Sequence, residues 1–308
     1  MKHQNVIWHN GTFVKPSAAN VPVLSHALHY GSGVFEGIRV YETPRGPAIF
    51  RLRDHIDRLF RSASAFGMHI PYRRDVIERA AVKLVSRSGF KECYVRPIVF
   101  YGEGKMQMDP TGAKLHVFIA AWPWGKYLGD HPALSVGVSP YVRFHPKSVI
   151  PGAKISGYYA TSVLARMDAQ KRGFNEALLL DHLGNVAEGP GENIFMIKRG
   201  KLFAPASPSI LEGITRASVI AIARDLGMPF VKKKITLAHL MAADEAFFAG
   251  TAVEIAPVAR INKRRIGPGG ARGARAAASP LTAKIRAAYF GATHGTLPRY
   301  RKWLTAVQ

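Results

Sequence analysis

The chain has 308 residues, 47% hydrophobic and 20% charged, an ordinary globular balance with enough length for two domains. A lone cysteine, Cys93, excludes a disulfide framework and suits a reducing cytoplasm. No apolar run approaches the roughly 18 residues of a membrane span, and the opening "MKHQNVIWHNGTFVKP" has no apolar core of a signal peptide, so the expected location is cytoplasmic with no membrane partner.

In chain order, "VIWHNGTFV" reads as a hairpin turning at Asn10-Gly11. "RLRDHIDRLFRSASAFG" predicts a helix with Ile56, Leu59, Phe60, Ala63 and Phe66 on one face and Gly67 as its stop. "RDVIERAAVKLVSRSG" predicts a second helix, capped by Gly89. "ECYVRPIVFYG" and "KLHVFIAAWPW" read as strands, and "PWGKYLGDHP" as a linker. The pattern restarts with the strand "ALSVGVSPYV" and the helix "SGYYATSVLARMDAQKRG". The strands "EALLLD" and "ENIFMIKRGKLF" follow around a loop "HLGNVAEGPG". A helix "GITRASVIAIARDLG" comes next, then two strands in "DEAFFAGTAVEIAPV". A Gly/Ala/Arg loop fills 262–278 and a last helix lies near 280–290. Strands and helices do not alternate strictly, so the fold class is α+β. The expected domains are 1–121, small and N-terminal; 122–133, an interdomain loop; and 134–308, large and cofactor-binding.

The charge is strongly basic: 43 Lys and Arg against 20 Asp and Glu give a net +23. Glu254 is the last acid, and the chain beyond it carries only basic charges, among them Arg264, Arg265, Arg272 and Arg275. A basic nucleic-acid-binding protein is one reading. A solvated surface that draws small anions toward the protein is the other. No RNP1 segment or paired-cysteine finger accompanies the charge, which favours the second.

Four segments carry chemistry. Lys154 sits in "IPGAKISGYYATSVLA", flanked by glycines and apolar residues. A desolvated lysine has a lowered pKa and can act as a nucleophile; a lysine snorkelling at a helix start is the bland alternative. Glu188 lies in "NVAEGPGENIF", a rigid acid facing a cavity or simply a polar loop residue. Ile214 and Thr215 open a helix after Gly213, where unsatisfied N–H groups suit phosphate or merely cap the helix. "FFAGTAVEI" offers a Gly-Thr-Ala turn that could face an anion or be an ordinary β-turn. Together, a lysine for an aldehyde, an acid for a pyridine nitrogen and two N–H-rich turns for a phosphate match pyridoxal phosphate. No strand-GxGxxG-helix or GxxxxGK[ST] pattern supports a nucleotide.

"SHALHYGSGVFEGIRVY", "HIDRLFRSA", "YVRPIVF", "AAWPWGKYLG", "GAKISGYYATSVLA", "EGPGENIF", "GITRASV" and "GTAVEIAPV" occur in this order. They resemble the branched-chain amino acid aminotransferases, which are fold-type IV pyridoxal phosphate enzymes with a two-domain, D-amino acid aminotransferase-like fold. The resemblance covers roughly residues 5–260. It implies reversible, ping-pong amino transfer from leucine, isoleucine or valine to 2-oxoglutarate, giving the branched 2-oxo acid and L-glutamate.

Residue by residue, the resemblance implies that Lys154 is the Schiff-base lysine and the acid/base that moves the proton. Glu188 pairs with the pyridinium nitrogen, and Tyr159 bonds the ring's 3-oxygen. Arg58, Ile214, Thr215 and Thr251 bind the phosphate, although Arg58 by itself reads as an exposed helix arginine beside Asp54 and Asp57. Phe35, Tyr30, Tyr127, Trp124 and Met108 form the apolar substrate pocket. Tyr94 and the Thr251-Ala252 turn receive the α-carboxylate, and Arg96 receives the distal carboxylate of glutamate. "YVRP" and "FEGIR", with Arg39, separate this group from the D-amino acid and (R)-amine transaminases and the aminodeoxychorismate lyases, which are the alternatives of the same fold. Tyr30 and the Met108 loop come from a neighbouring subunit in this family, so a homodimer is the minimum and a hexamer the larger assembly. Gln107 departs from the family's usual glycine, which bears on the loop's shape and the substrate range. His26 and His29 read as packing rather than a metal pair, so no metal is expected. Cys93 reads as a small buried side chain.

Overall fold

The computed structural model describes residues 6–125, 127–129, 131–267 and 280–307. The Gly/Ala/Arg loop expected at 262–278 therefore lies largely outside the described residues. Among those described, no helix is long and apolar enough to cross a membrane. The mixture of helices with mainly antiparallel and some parallel pairing is the expected α+β class.

Two compact units form, and they are not consecutive stretches of chain. The first comprises Met1–Gly125, Ala153–Tyr158 and Gly291–Gln308; the second comprises Lys126–Gly152 and Tyr159–Phe290.

The first unit is built on an eight-stranded sheet. Ile7–His9 and Thr12–Val14 form the expected hairpin, with Asn10 at φ 47° and Gly11 at φ 95° supplying the two left-handed turn residues. At the sheet's centre Ile38–Thr43, Cys93–Tyr101 and Leu115–Trp122 run antiparallel. Their register places Arg39 opposite Tyr94 and Tyr94 opposite Trp122, so two site candidates and Trp122 form a row across adjacent strands. Two helices, Leu52–Ala65 and Arg74–Ser88, bury Ile56, Leu59, Ile77, Ala81 and Leu84. Leu304–Ala306 adds an edge strand against Gly46–Phe50, a pairing with no local sequence signal.

The segment that carries Lys154 is tied into this unit at several points. Ile155 bridges Val34, Phe35 N–H donates to the Lys154 carbonyl at 3.1 Å, and Gly157 N–H donates to the Gly31 carbonyl at 3.0 Å. Gly31 ends its short helix in the left-handed region at φ 64°, and a Cβ there would stand 2.6 Å from the Gly157 Cα. Only glycine lets the two backbones approach this closely.

The second unit contains a nine-stranded sheet that closes on itself. Val186–Glu188, Glu176–Leu180, Leu134–Val138, Glu254–Ile261, Glu245–Gly250 and Asn193–Lys198 pair in that order, and the last pairs with the first through Glu188 and Asn193. Closure leaves no unpaired edge within the ring. Leu178, Val136, Ile194, Phe248 and Val258 fill its core. Here the structure corrects the reading of "HLGNVAEGPG" as loop throughout: Val186–Glu188 is a strand, held by antiparallel pairing to Leu179–Leu180 on one side and Asn193 on the other.

Candidate active site

In the first unit the chemistry gathers around Lys154. Its main-chain N–H donates to Ser62 Oγ at 3.0 Å, and its Nζ lies 4.8 Å from the centre of the Phe35 ring. The side chain is half-buried, with Pro151 and Gly152 exposed before it and Ile155 buried after it. An aromatic face thus lies against the amine, while Ser62 holds the main chain.

Ser62 belongs to a polar stripe on the Leu52–Ala65 helix, whose spacing puts His55, Arg58 and Ser62 on one face. All three are buried. Arg58 is therefore not the exposed surface arginine that its neighbours Asp54 and Asp57 suggest. It donates from Nε and Nη2 to Glu36, at 2.5 and 2.8 Å, while His55 Nδ1 donates to the same carboxylate at 2.7 Å. Burial pushes the Glu36 pKa up, but Arg58 and His55 more than reverse this and leave it far below the carboxylate range. Burial also holds His55 below its ordinary value of 6.5, against the pull of Glu36.

The substrate-side candidates lie on the row across the sheet. The Arg96 guanidinium carbon stands 4.7 Å from the Phe35 ring centre, 5.3 Å from Tyr94 and 5.8 Å from Trp122. Tyr94 stacks on Trp124 at 4.6 Å, and Arg39 Nη1 donates to the Trp124 carbonyl at 3.4 Å. Arg96 Nε is buried without a hydrogen-bond partner among the described residues, a donor that suits an incoming carboxylate. Tyr30 and Met108 do not join this cluster within the chain: they are 43% and 79% exposed. His26 bonds Ser32 Oγ at 2.6 Å and the Gln107 carbonyl at 2.8 Å, which ties it to the departing loop. No metal-binding group forms among the described residues. Cys93 is buried, and burial pushes its thiol up to about 12.

In the second unit Glu188 is the centre of a network. Its Oε1 accepts from Arg143 Nε and Nη2 at 2.8 and 2.6 Å, and its Oε2 accepts from Asn193 Nδ2 at 3.0 Å. Asn193 Oδ1 accepts in turn from Gly213 N–H at 3.2 Å. This couples Glu188 to the start of the Ile214–Asp225 helix. No side chain caps that helix, and Ile214 and Thr215 are buried in its first turn, so its leading N–H groups suit an anion. A Cβ on Gly213 would fall 2.3 Å from Asn193 Oδ1. Tyr159 begins the Tyr159–Lys171 helix, and Thr251 and Ala252 form the turn after Glu245–Gly250. Tyr127 receives Arg166 against its ring at 4.7 Å.

The sequence reading missed Glu36, His55, Ser62, Arg143 and Asn193. Only the 55/58/62 spacing was visible as a signal, and it resembles any polar helix face.

An anchored lysine and a buried arginine in the first unit, and a fixed carboxylate and an uncapped helix start in the second, are each of a type that pyridoxal phosphate uses, so within each unit the residues fit that group. Residues 33–261 match the family model described as amino-transferase class IV. The chain is 44% identical to the branched-chain-amino-acid aminotransferase of Pseudomonas aeruginosa, over 98% of this chain and 97% of that one. Among solved structures it superposes on a T.th. branched-chain amino acid aminotransferase with pyridoxamine 5'-phosphate at TM-score 0.93 and 43% identity, covering 99% of each chain. The same enzyme complexed with N-(5'-phosphopyridoxyl)-L-glutamate gives a TM-score of 0.92 at 42% identity, again covering 99% of each chain. The chain belongs to the class IV aminotransferases, and within them to the branched-chain amino acid aminotransferase family.

One buried acid beside this network generates a pH prediction. Glu192 packs against the Glu188 and Thr251 turns: a Cβ on Gly189 would meet its Oε1 at 2.4 Å, and one on Gly250 would meet its Cβ at 3.0 Å. Burial, reinforced by Glu176 and Glu188, pushes its pKa well above the ordinary 4.5. The folded chain then keeps a proton that the unfolded chain releases as pH rises past 4.5, so this group's stabilising contribution is lost upward from there. Glu192→Gln removes the effect. Melting temperatures between roughly pH 5 and 8 should show the variant gaining on the parent as pH rises; a constant gap contradicts it.

Proposed function

We propose that this chain is a branched-chain L-amino acid transaminase. It would pass the amino group of leucine, isoleucine or valine to 2-oxoglutarate by a ping-pong cycle on pyridoxal 5'-phosphate. The names of the relatives support the branched-chain donor, and the phosphopyridoxyl-L-glutamate complex of the T.th. enzyme supports glutamate as its counterpart. The observation in this chain that carries the reading is Phe35, whose ring centre lies 4.8 Å from Lys154 Nζ and 4.7 Å from the Arg96 guanidinium carbon. An apolar wall and a cation within reach of the same lysine suit a pocket that takes an aliphatic side chain in one half-reaction and a carboxylate in the other.

When bound, pyridoxal phosphate supplies the electron sink that lets the α-proton leave. Lys154 would take that proton from the substrate α-carbon and serve as the acid that returns it. Its main chain, fixed by Ser62 and Phe35, limits the directions in which the amine can reach. Glu188 accepts the ring N–H, and Arg143 and Asn193 keep its oxygens in place. Tyr159 donates to the ring oxygen. Arg58, Ile214, Thr215 and Thr251 hold the phosphate. Tyr94, Arg39 and the Thr251-Ala252 turn orient the substrate carboxylate, and Trp124, Tyr127, Tyr30 and Met108 complete the apolar surface.

The active assembly in this reading is at least a homodimer. Val23, Leu28 and Met108 are 72%, 66% and 79% exposed, as are Val163 and Met167 at 54% and 60%. Apolar residues this open suit coverage by a second copy. Light scattering should give at least twice the chain mass of 33.7 kDa, and a monomer contradicts it.

The function itself is tested by Arg96→Met. Loss of one charged hydrogen-bond donor should raise KM for 2-oxoglutarate by about 10–100-fold and leave the leucine half-reaction little changed. Equal loss toward both substrates, or preferred turnover of D-alanine by the parent protein, contradicts the reading.

A further inference from the structure

Glu36 takes no part in the chemistry described above, yet it is fully buried. Its carboxylate is met by Arg58 Nε at 2.5 Å, Arg58 Nη2 at 2.8 Å and His55 Nδ1 at 2.7 Å. Its main-chain N–H donates to the Pro97 carbonyl at 2.9 Å, and the preceding N–H, of Phe35, donates to Lys154. Glu36 thus leaves the strand that holds the lysine segment and reaches the helix face whose Ser62 holds the same segment. Two nitrogens of Arg58 are committed to this carboxylate in a bidentate pair, which sets the plane and direction of the guanidinium.

Resting on the cofactor assignment above, we infer that Glu36 is a positioning residue for the phosphate: it pre-orients Arg58, with His55 as a buttress, so that the clamp is built before the cofactor arrives. An arginine on a long flexible stem must otherwise lose its rotamer freedom during binding, which weakens affinity. The arrangement has a sign that separates it from simple charge attraction. Glu36 is an anion beside an anion-binding arginine. If charge alone governed the site, removing it would strengthen phosphate binding. If orientation governs, removing it weakens phosphate binding.

The test titrates the protein with pyridoxal 5'-phosphate and with pyridoxal, which lacks the phosphate, and follows visible absorption. Parent protein should bind the phosphorylated compound much more tightly. In Glu36→Gln the affinity for pyridoxal 5'-phosphate should fall about tenfold or more, while the affinity for pyridoxal stays unchanged. A gain in affinity for the phosphorylated compound overturns the inference in favour of charge. An equal loss toward both compounds overturns it in favour of a merely structural role. Should Glu36→Gln fail to fold, Glu36→Asp keeps the charge but withdraws the carboxylate, and the same selective loss is expected, with an equal loss again overturning the inference. If the parent protein binds neither compound, the cofactor assignment fails, and this inference falls with it.

Discussion

A carboxylate taken out of water has to be met by donors on every side, and both units are organised around that requirement. In the first unit Glu36 is met by Arg58 and His55. In the second, Glu188 is met by Arg143, Asn193 and the Leu211 N–H. Glu36 is met by one helix, whereas Arg143, Asn193 and Leu211 reach Glu188 from three separate segments, so satisfying each charge also ties its carboxylate to those elements. The polar face of the Leu52–Ala65 helix, the strand that ends at Phe35 and the Lys154 segment are one such assembly. The closing strand Val186–Glu188, its partner Asn193 and the start of the Ile214–Asp225 helix are the other.

This constraint also explains which parts were legible in the sequence. The apolar face of the Leu52–Ala65 helix could be read because Ile56, Leu59 and Ala63 repeat at the helical period. Its polar face could not, because His55, Arg58 and Ser62 have the composition of a solvated surface, and Glu36, the partner of His55 and Arg58, lies just past the Gly33–Phe35 strand, outside the helix. Arg58 looked exposed by local reasoning, and only the resemblance pointed to a buried role. Glu188 looked like a loop residue because three residues before Gly-Pro-Gly carry no strand period. Its strand character comes from antiparallel pairing on both sides, with Leu179–Leu180 and with Asn193. The edge strand Leu304–Ala306 was hidden for another reason, because its partner Gly46–Phe50 is far away in the chain. Lys154 was expected in an apolar setting. The Phe35 ring lies against its amine, while Ser62 bonds its main-chain N–H.

The substrate side follows a different logic. Arg39, Tyr94 and Trp122 stand in a row because strand register aligns them, and Arg96, two residues along from Tyr94, projects from the same face. Rings surround a guanidinium that still has a buried donor to offer. The wall is thus aromatic over most of its area, with one cation set among the rings. Sequence patterning could suggest these residue types, but only register brings them together.

The proposed chemistry rests on one lysine, Lys154, whose main chain is held by Ser62 on the same helix face as His55 and Arg58. Its most direct test is a half-reaction without an acceptor, in which protein loaded with pyridoxal 5'-phosphate is mixed with L-leucine and the 2-oxo acid is quantified. The account predicts one equivalent of 4-methyl-2-oxopentanoate per chain, no further product until 2-oxoglutarate is added, and none from the Lys154→Ala variant. No oxo acid from L-leucine, or an undiminished equivalent from the variant, would contradict it.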